Sequence, residues 1–204
     1  MAAAVLVTVV FQLLTPRRGR LPGWWVFPIL EVVMLVILIV RDPGRIDRRS
    51  TALRRQTIVL IAIMTVGTLG SAVILLYQIV TSAKGMTADT ILGRGASVWL
   101  TNVIVFSLWY WELDRGGAAE RAARSRVRPS FAFPEDSMPA VAPLGWMPAY
   151  PDYLYLAFTN ATAFSPTDTM PVRTWAKMTM MLQAGVSLSI AILVVARAIN
   201  LLPG

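Results

Sequence analysis

The residues that could carry chemistry in this 204-residue chain are restricted at once, because it contains neither cysteine nor histidine. Disulfides, thiolate nucleophiles, Cys/His metal sites, imidazole bases and every triad that needs them are excluded. Oxygen and guanidinium groups remain. Hydroxyls and amides concentrate in residues 151–171, PDYLYLAFTNATAFSPTDTMP, a stretch that is moderately apolar at first and then dense in Thr, Ser, Asn and Pro. The carboxylates are scattered and no phosphate-binding Gly-rich motif or metal cage stands out, so neither an enzyme nor a cofactor is expected.

Three polar residues, Glu31, Asn102 and Gln183, fall inside apolar runs. A carboxylate there is a functional candidate because its charged form is expensive in hydrocarbon. For Glu31, the preferred expectation is a shallow position near Trp24 and Trp25, facing interfacial water or paired with an arginine. Hydrogen bonds between helices account for Asn102 and Gln183. The run Glu112-Leu113-Asp114-Arg115-Gly116-Gly117 could latch the 151–171 segment, but the preferred expectation is a helix end with glycine at C′ and a weak surface pair, Glu112–Arg115. Arg121, Arg124, Arg126 and Arg128 could meet anionic headgroups. The preferred reading makes them a topogenic run in a flexible loop.

The elements that must position these residues are apolar. Some 56% of the chain is hydrophobic, only 15% is charged and the mean hydropathy is +0.61, whereas a soluble domain spends about a quarter of its residues on charge. The expectation is an all-α, multi-pass membrane protein. A crossing helix takes about 20 apolar residues, and five runs qualify to different degrees. Residues 2–14 would cover about 20 Å as a helix; they lack the basic start and cleavage site of a signal peptide and are kept as a membrane segment. Residues 24–40 open on a Trp pair and close at Arg41-Asp42-Pro43-Gly44, and residues 56–80 include Gly67 and Gly70, which admit a close neighbour. Residues 91–111 are interrupted by Gly93-Arg94-Gly95, so their useful length starts near Ala96. Residues 175–201 form the last span, with Gly185 near the middle as a candidate hinge.

Residues 112–150 hold five arginines and prolines at 129, 134, 139, 143 and 148, so no long regular element persists there and a surface or partly disordered loop is expected. The division is therefore N-terminal transmembrane helices in 1–111, an Arg/Pro-rich loop in 112–150, and a C-terminal unit in 151–204. The net charge of +8, from 17 Arg and 2 Lys against 11 acids, lies between apolar segments, which suits orientation and lipid headgroups rather than nucleic acid.

In the C-terminal unit, Pro151 and Asp152 make a good helix start, and about 12 residues reach Thr162 before small hydroxyl residues take over. Such a helix is too short to cross. A half-helix, a polar strand and a full span form a re-entrant pattern, whose non-helical backbone survives at membrane depth only where protein buries it or water bathes it. If the segment is re-entrant, thirteen basic residues lie on its side of the membrane against six on the other, which makes that side cytoplasmic.

Residues 159–171, TNATAFSPTDTMP, with the Gly-bearing last helix, resemble the pore helix, selectivity filter and inner helix of the tetrameric potassium-channel superfamily. In that resemblance Thr162 matches the threonine that opens the filter and Ala163 and Phe164 follow it. Ser165 and Thr167 occupy the two filter glycines with Pro166 between them, Asp168 matches the aspartate just outside, and Pro171 the proline leading to the inner helix. The resemblance implies a homotetramer, with Asn160 bracing the half-helix. It also shows departures: Ser165 and Thr167 carry a Cβ where glycine would allow carbonyls to point inward, and Pro166 fixes its φ and lacks a donor. A ring of hydroxyls from Thr162, Ser165 and Thr167 with Asp168 at its mouth suits hydrated or partly hydrated cations, the permeant ion being the only metal implied. The strings WYWELDRGG at 109–117 and DYLYLAFTNATAFSPTDTMP at 152–171 together also resemble a bacterial family of integral membrane proteins that share them. That second resemblance implies one fold in the cytoplasmic (inner) membrane and supplies no activity.

Two functional expectations follow. One is a cation-conducting, channel-like homo-oligomer using the TAFSPTD filter. The alternative is a non-conducting structural or partner-binding membrane protein, in which Ser165-Pro166-Thr167-Asp168 is only a helix start: Ser as N-cap, Pro at N1 and Asp closing a capping box.

Overall fold

The computed structural model describes residues 2–14, 25–41, 51–81, 87–124, 127–138, 140, 142–162 and 168–201. The apolar runs become α1 (Ala2–Leu14), α2 (Val26–Arg41), α3 (Thr51–Val80), α4 (Ala88–Leu113) and α8 (Thr174–Asn200). Between α4 and α8 come a 3-10 turn (Asp114–Gly116), α5 (Ala118–Ala122), β1 (Phe131–Ala132), α6 (Pro134–Ser137), α7 (Tyr150–Thr162) and β2 (Met170–Pro171). Three helical segments, Thr51–Val80, Ala88–Gly116 and Thr174–Asn200, are long and apolar enough to cross a membrane, and Ala2–Leu13 and Val26–Val40 are shorter apolar helices. Residues 24–40, expected as a crossing span, thus yield a helix of 16 residues, about 24 Å long at 1.5 Å per residue.

Helix α4 is the axis of the bundle, packed by α1, α3, α7 and α8. Both α3 and α8 run antiparallel to it. At one end Arg54 of α3 reaches Glu112, while the Trp175 ring of α8 meets Phe131, which packs edge-on against Tyr110. At the opposite end Arg94 donates to Gln78 of α3, and Gly95 lies under Val194 of α8, so close that an added Cβ would come within 2.7 Å of it. That contact explains why α4 begins at Ala88 and not near Ala96: Gly95 is the gap that Val194 fills, and the helix runs through it. Gly67 similarly faces Phe27, whereas nothing stands within 4 Å of a Cβ at Gly70. Thr8, Ser71 and Thr101 return their hydroxyls to carbonyls one turn back, which removes a donor from the apolar surroundings.

The 112–150 segment is shorter in regular elements, as its prolines dictate, but much of it is not a free surface loop. Ser130, Phe131 and Phe133 are buried. The reason is tertiary: β1 pairs antiparallel with β2, Phe131 opposite Pro171 and Ala132 opposite Met170, and the Phe133 ring packs edge-on against Tyr153 and Trp146. The chain turns from α4 into this segment through three successive positive φ values, Arg115 (49°), Gly116 (82°) and Gly117 (97°). At Gly117 a Cβ would sit 2.9 Å from Oε1 and 3.0 Å from the backbone oxygen of Glu112.

Gly117→Ala is therefore expected to lower stability by about 1–3 kcal/mol, since it combines a strained φ with a clash. Gly185→Ala, where no atom lies within 4 Å, is expected to be neutral or to stabilise α8 by up to about 1 kcal/mol. Paired thermal unfolding in detergent measures both.

Candidate functional site

Asp114 ends α4 with a fully buried side chain. Its Oδ1 accepts the backbone N–H of Ser130 at 2.6 Å and, at 3.4 Å, that of Phe131. The Tyr153 hydroxyl donates to Oδ2 at 2.7 Å, and the Arg115 guanidinium stands 3.4 Å away. Arg115 also joins Asp136, whose carboxylate caps α6 by accepting the Phe133 N–H. The Arg121 guanidinium lies over the rings of Tyr153 (5.0 Å) and Trp111 (5.4 Å) and donates to the Asp114 backbone oxygen at 2.8 Å. Burial pulls its pKa below the ordinary arginine value, against the opposing pull of neighbours that include Asp114; an arginine so shifted still keeps its proton. Two expectations are corrected here. The Glu112 partner is Arg54 at 3.5 Å and not Arg115, and the 112–117 run is a buried joint to α7, because the donors that satisfy Asp114 come from distant segments. Arg121 belongs to that joint and not to a solvated charge run.

The start of α7 is thereby pinned. Asp152 accepts the Ala149 N–H at 2.7 Å, Tyr150 shares a hydrogen bond with Ser107 at 2.9 Å, and its ring packs edge-on against Trp111. From there α7 runs its 13 residues, about 20 Å, down the side of α4, with Leu156 and Ala157 buried and Phe158 against Trp99.

A second set of bonds grips the inner end. Gln183 of α8 is fully buried; its Oε1 accepts from the Tyr110 hydroxyl (2.6 Å) and from Asn160 Nδ2 (2.8 Å), and its Nε2 donates to the Ala157 oxygen (2.8 Å). Asn160 Nδ2 lies within 3.0 Å of the Met180 oxygen as well. One turn further along, Asn102 Nδ2 donates to Ser187 at 2.8 Å. Thr162, half-buried, closes α7 by donating to the Thr159 oxygen at 2.8 Å. By Met170 the chain is again beside β1, at the end where α7 began. Residues 150–171 thus enter and leave at one end of the bundle.

Of the expected site residues, Ala163, Phe164, Ser165, Pro166 and Thr167 lie outside the described residues. Asp168 is exposed and Thr169 beside it is buried. Gly185 faces outward on α8. No group of three acids that could hold a metal occurs among the described residues. Glu31, expected near interfacial water or paired with an arginine, is instead fully buried and accepts from Gln12 at 2.8 Å, because α1 packs over that face of α2. Tyr110 and Tyr153 were not expected at the site, and Asp114 only within the latch that was not the preferred expectation; the signal was the density of aromatics beside the two acids of WYWELD, Glu112 and Asp114. Comparison with protein-family models, curated proteins and solved structures finds no match to the chain.

Gln183→Leu leaves three partners, Tyr110, Asn160 and the Ala157 carbonyl, without their bonds. Single interhelical hydrogen bonds in membranes average about 0.6 kcal/mol, so the expected loss is about 2 kcal/mol for the three, larger than for Asn102→Ala. Reversible unfolding in mixed micelles, with Tyr110→Phe completing a double-mutant cycle, tests whether the bonds act as a unit.

Proposed function

We propose that the chain is one subunit of a homotetrameric, channel-like pathway for small inorganic cations in the bacterial cytoplasmic membrane. The observation that carries this reading is the half-helix that is anchored at one end of the bundle, gripped at its inner end by Gln183, and followed by a return to the same end. One such loop cannot enclose a pore; several around an axis can. The outer faces of α7 and α8 support assembly with other copies or lipid, since Tyr155, Phe158, Met181, Leu188 and Ile192 are exposed on the single chain.

In this proposal the hydroxyls of Thr162, Ser165 and Thr167 offer oxygen to a cation that keeps part of its water, with Ala163, Phe164 and Pro166 supplying the backbone between them. Asp168 concentrates cations at the mouth, as acidic rings do in cation channels. Asn160 holds the half-helix from behind, and Gly185 is the hinge of the lining helix. A cytoplasmic entry side for the loop is supported by the basic residues among those described: Arg54, Arg55, Arg115, Arg121, Arg124, Arg128, Arg173 and Lys177 belong to the end where α7 begins, and Arg94 and Arg197 to the other. No enzymatic step is part of this reading.

A second reading, a non-conducting structural or partner-binding protein, is favoured by one observation: Asn160, Tyr153 and Gln183 make their bonds within a single chain, so the hairpin is braced without a neighbour. Detergent-corrected mass separates the two, since a monomer cannot form the pathway. In liposomes the tetramer is expected to pass monovalent cations, with Asp168→Asn lowering the flux severalfold and Asp168→Glu retaining it. A folded tetramer without flux, or flux unchanged by Asp168→Asn, counts against conduction.

A further inference from the structure

Glu31 takes no part in the half-helix or its anchors, yet it is the most costly side chain of the N-terminal helices. It is fully buried at the α1–α2 contact. Gln12 Nε2 donates to Oε1 at 2.8 Å, while Oε2 is buried with no hydrogen-bond partner among the described residues. Thr8 also bears on the carboxyl, and its hydroxyl donates to the Val5 oxygen at 2.7 Å. From α1 the groups acting on the carboxyl are Gln12 and Thr8; among the described residues no acid, arginine or lysine of α2, α3 or α4 acts on it.

An ionised carboxylate in such a place would carry an uncompensated charge and an orphaned oxygen, each costing kilocalories. A proton on Oε2 removes the larger fault, the uncompensated charge. A metal cation fits less well, because hard cations want several oxygens and Gln12 presents its amide nitrogen. We infer that Glu31 is a proton-binding site of the bundle, a carboxyl that is neutral when seated between α1 and α2 and that exchanges its proton with the surroundings.

The full chain in lipid vesicles is treated with dicyclohexylcarbodiimide, an apolar reagent for protonated carboxyls. The acid O–H adds across one C=N bond and the adduct rearranges to an N-acylurea that keeps the whole reagent, so peptide mass spectrometry locates it. The expected result is an adduct on Glu31 at mildly acid pH that falls severalfold in alkali as the proton is lost, and that is absent from Glu31→Gln. An unmodified Glu31 in folded wild-type protein, or equal yield at both pH values, would overturn the inference. Because the wild-type yield decides the matter, the outcome does not depend on whether the variant folds, and it is independent of conduction by the half-helix.

Discussion

The arrangement depends on one desolvated carboxylate. Taking an ionised aspartate out of water costs several kcal/mol even in a relaxed protein, and the cost is offset only where charge-assisted hydrogen bonds saturate it. Asp114 meets that condition with donors drawn from separate stretches of chain, two backbone N–H groups around β1 and the Tyr153 hydroxyl, and with the guanidinium of Arg115 as an ion pair at 3.4 Å. The need to satisfy one acid therefore joins the end of α4, the β1–β2 ribbon and the first turn of α7. Arg121, stacked over Tyr153 and Trp111, closes the same joint from outside.

The anchor at the rim and the Gln183 cluster deeper in the bundle do different jobs. The first sets where the half-helix begins; the second sets how it is rotated, because Asn160 and the Ala157 carbonyl reach the same amide from one face. Hydrogen bonds of this kind contribute modestly to stability in a membrane. Their larger effect is geometric, since a fully satisfied polar network permits a single arrangement of its members. The opposite face of α7, with Tyr155 and Phe158, is left outward.

Helix limits that depend on local chemistry were legible in the residues. Pro151 and Asp152 marked the start of α7 and the hydroxyl residues after Asn160 marked its end, within a residue of the observed Tyr150–Thr162. The length of α8 followed from its apolar run. What could not be read was any feature set by a distant partner. Gly95 looks like an interruption until Val194 is placed above it. Glu112 has Arg115 at helical spacing and pairs instead with Arg54. Ser130 and Phe131 sit in a proline-rich stretch whose composition says loop, and they are buried because an acid sixteen residues earlier requires the Ser130 N–H. At the candidate site, the bonds of Asn160 to Gln183 and the Met180 oxygen were not legible, since a lone glutamine in a span identifies no particular neighbour. Residues 163–167 lie outside the described residues, so the proposed hydroxyl ring rests on the resemblance alone.

The position of Asp114 also bears on the order in which the molecule is assembled. Synthesis delivers the N-terminal elements first, and the aspartate emerges sixteen residues ahead of Ser130 and thirty-nine ahead of Tyr153. During that interval its ready partners are Arg115 and water, and the donors that later saturate it have not been made. Arrival of Tyr153 then lets the acid shed its hydration, and the same event draws the nascent half-helix against the bundle. Docking of α7 against the bundle is thereby coupled to the dehydration of a single side chain made well before it.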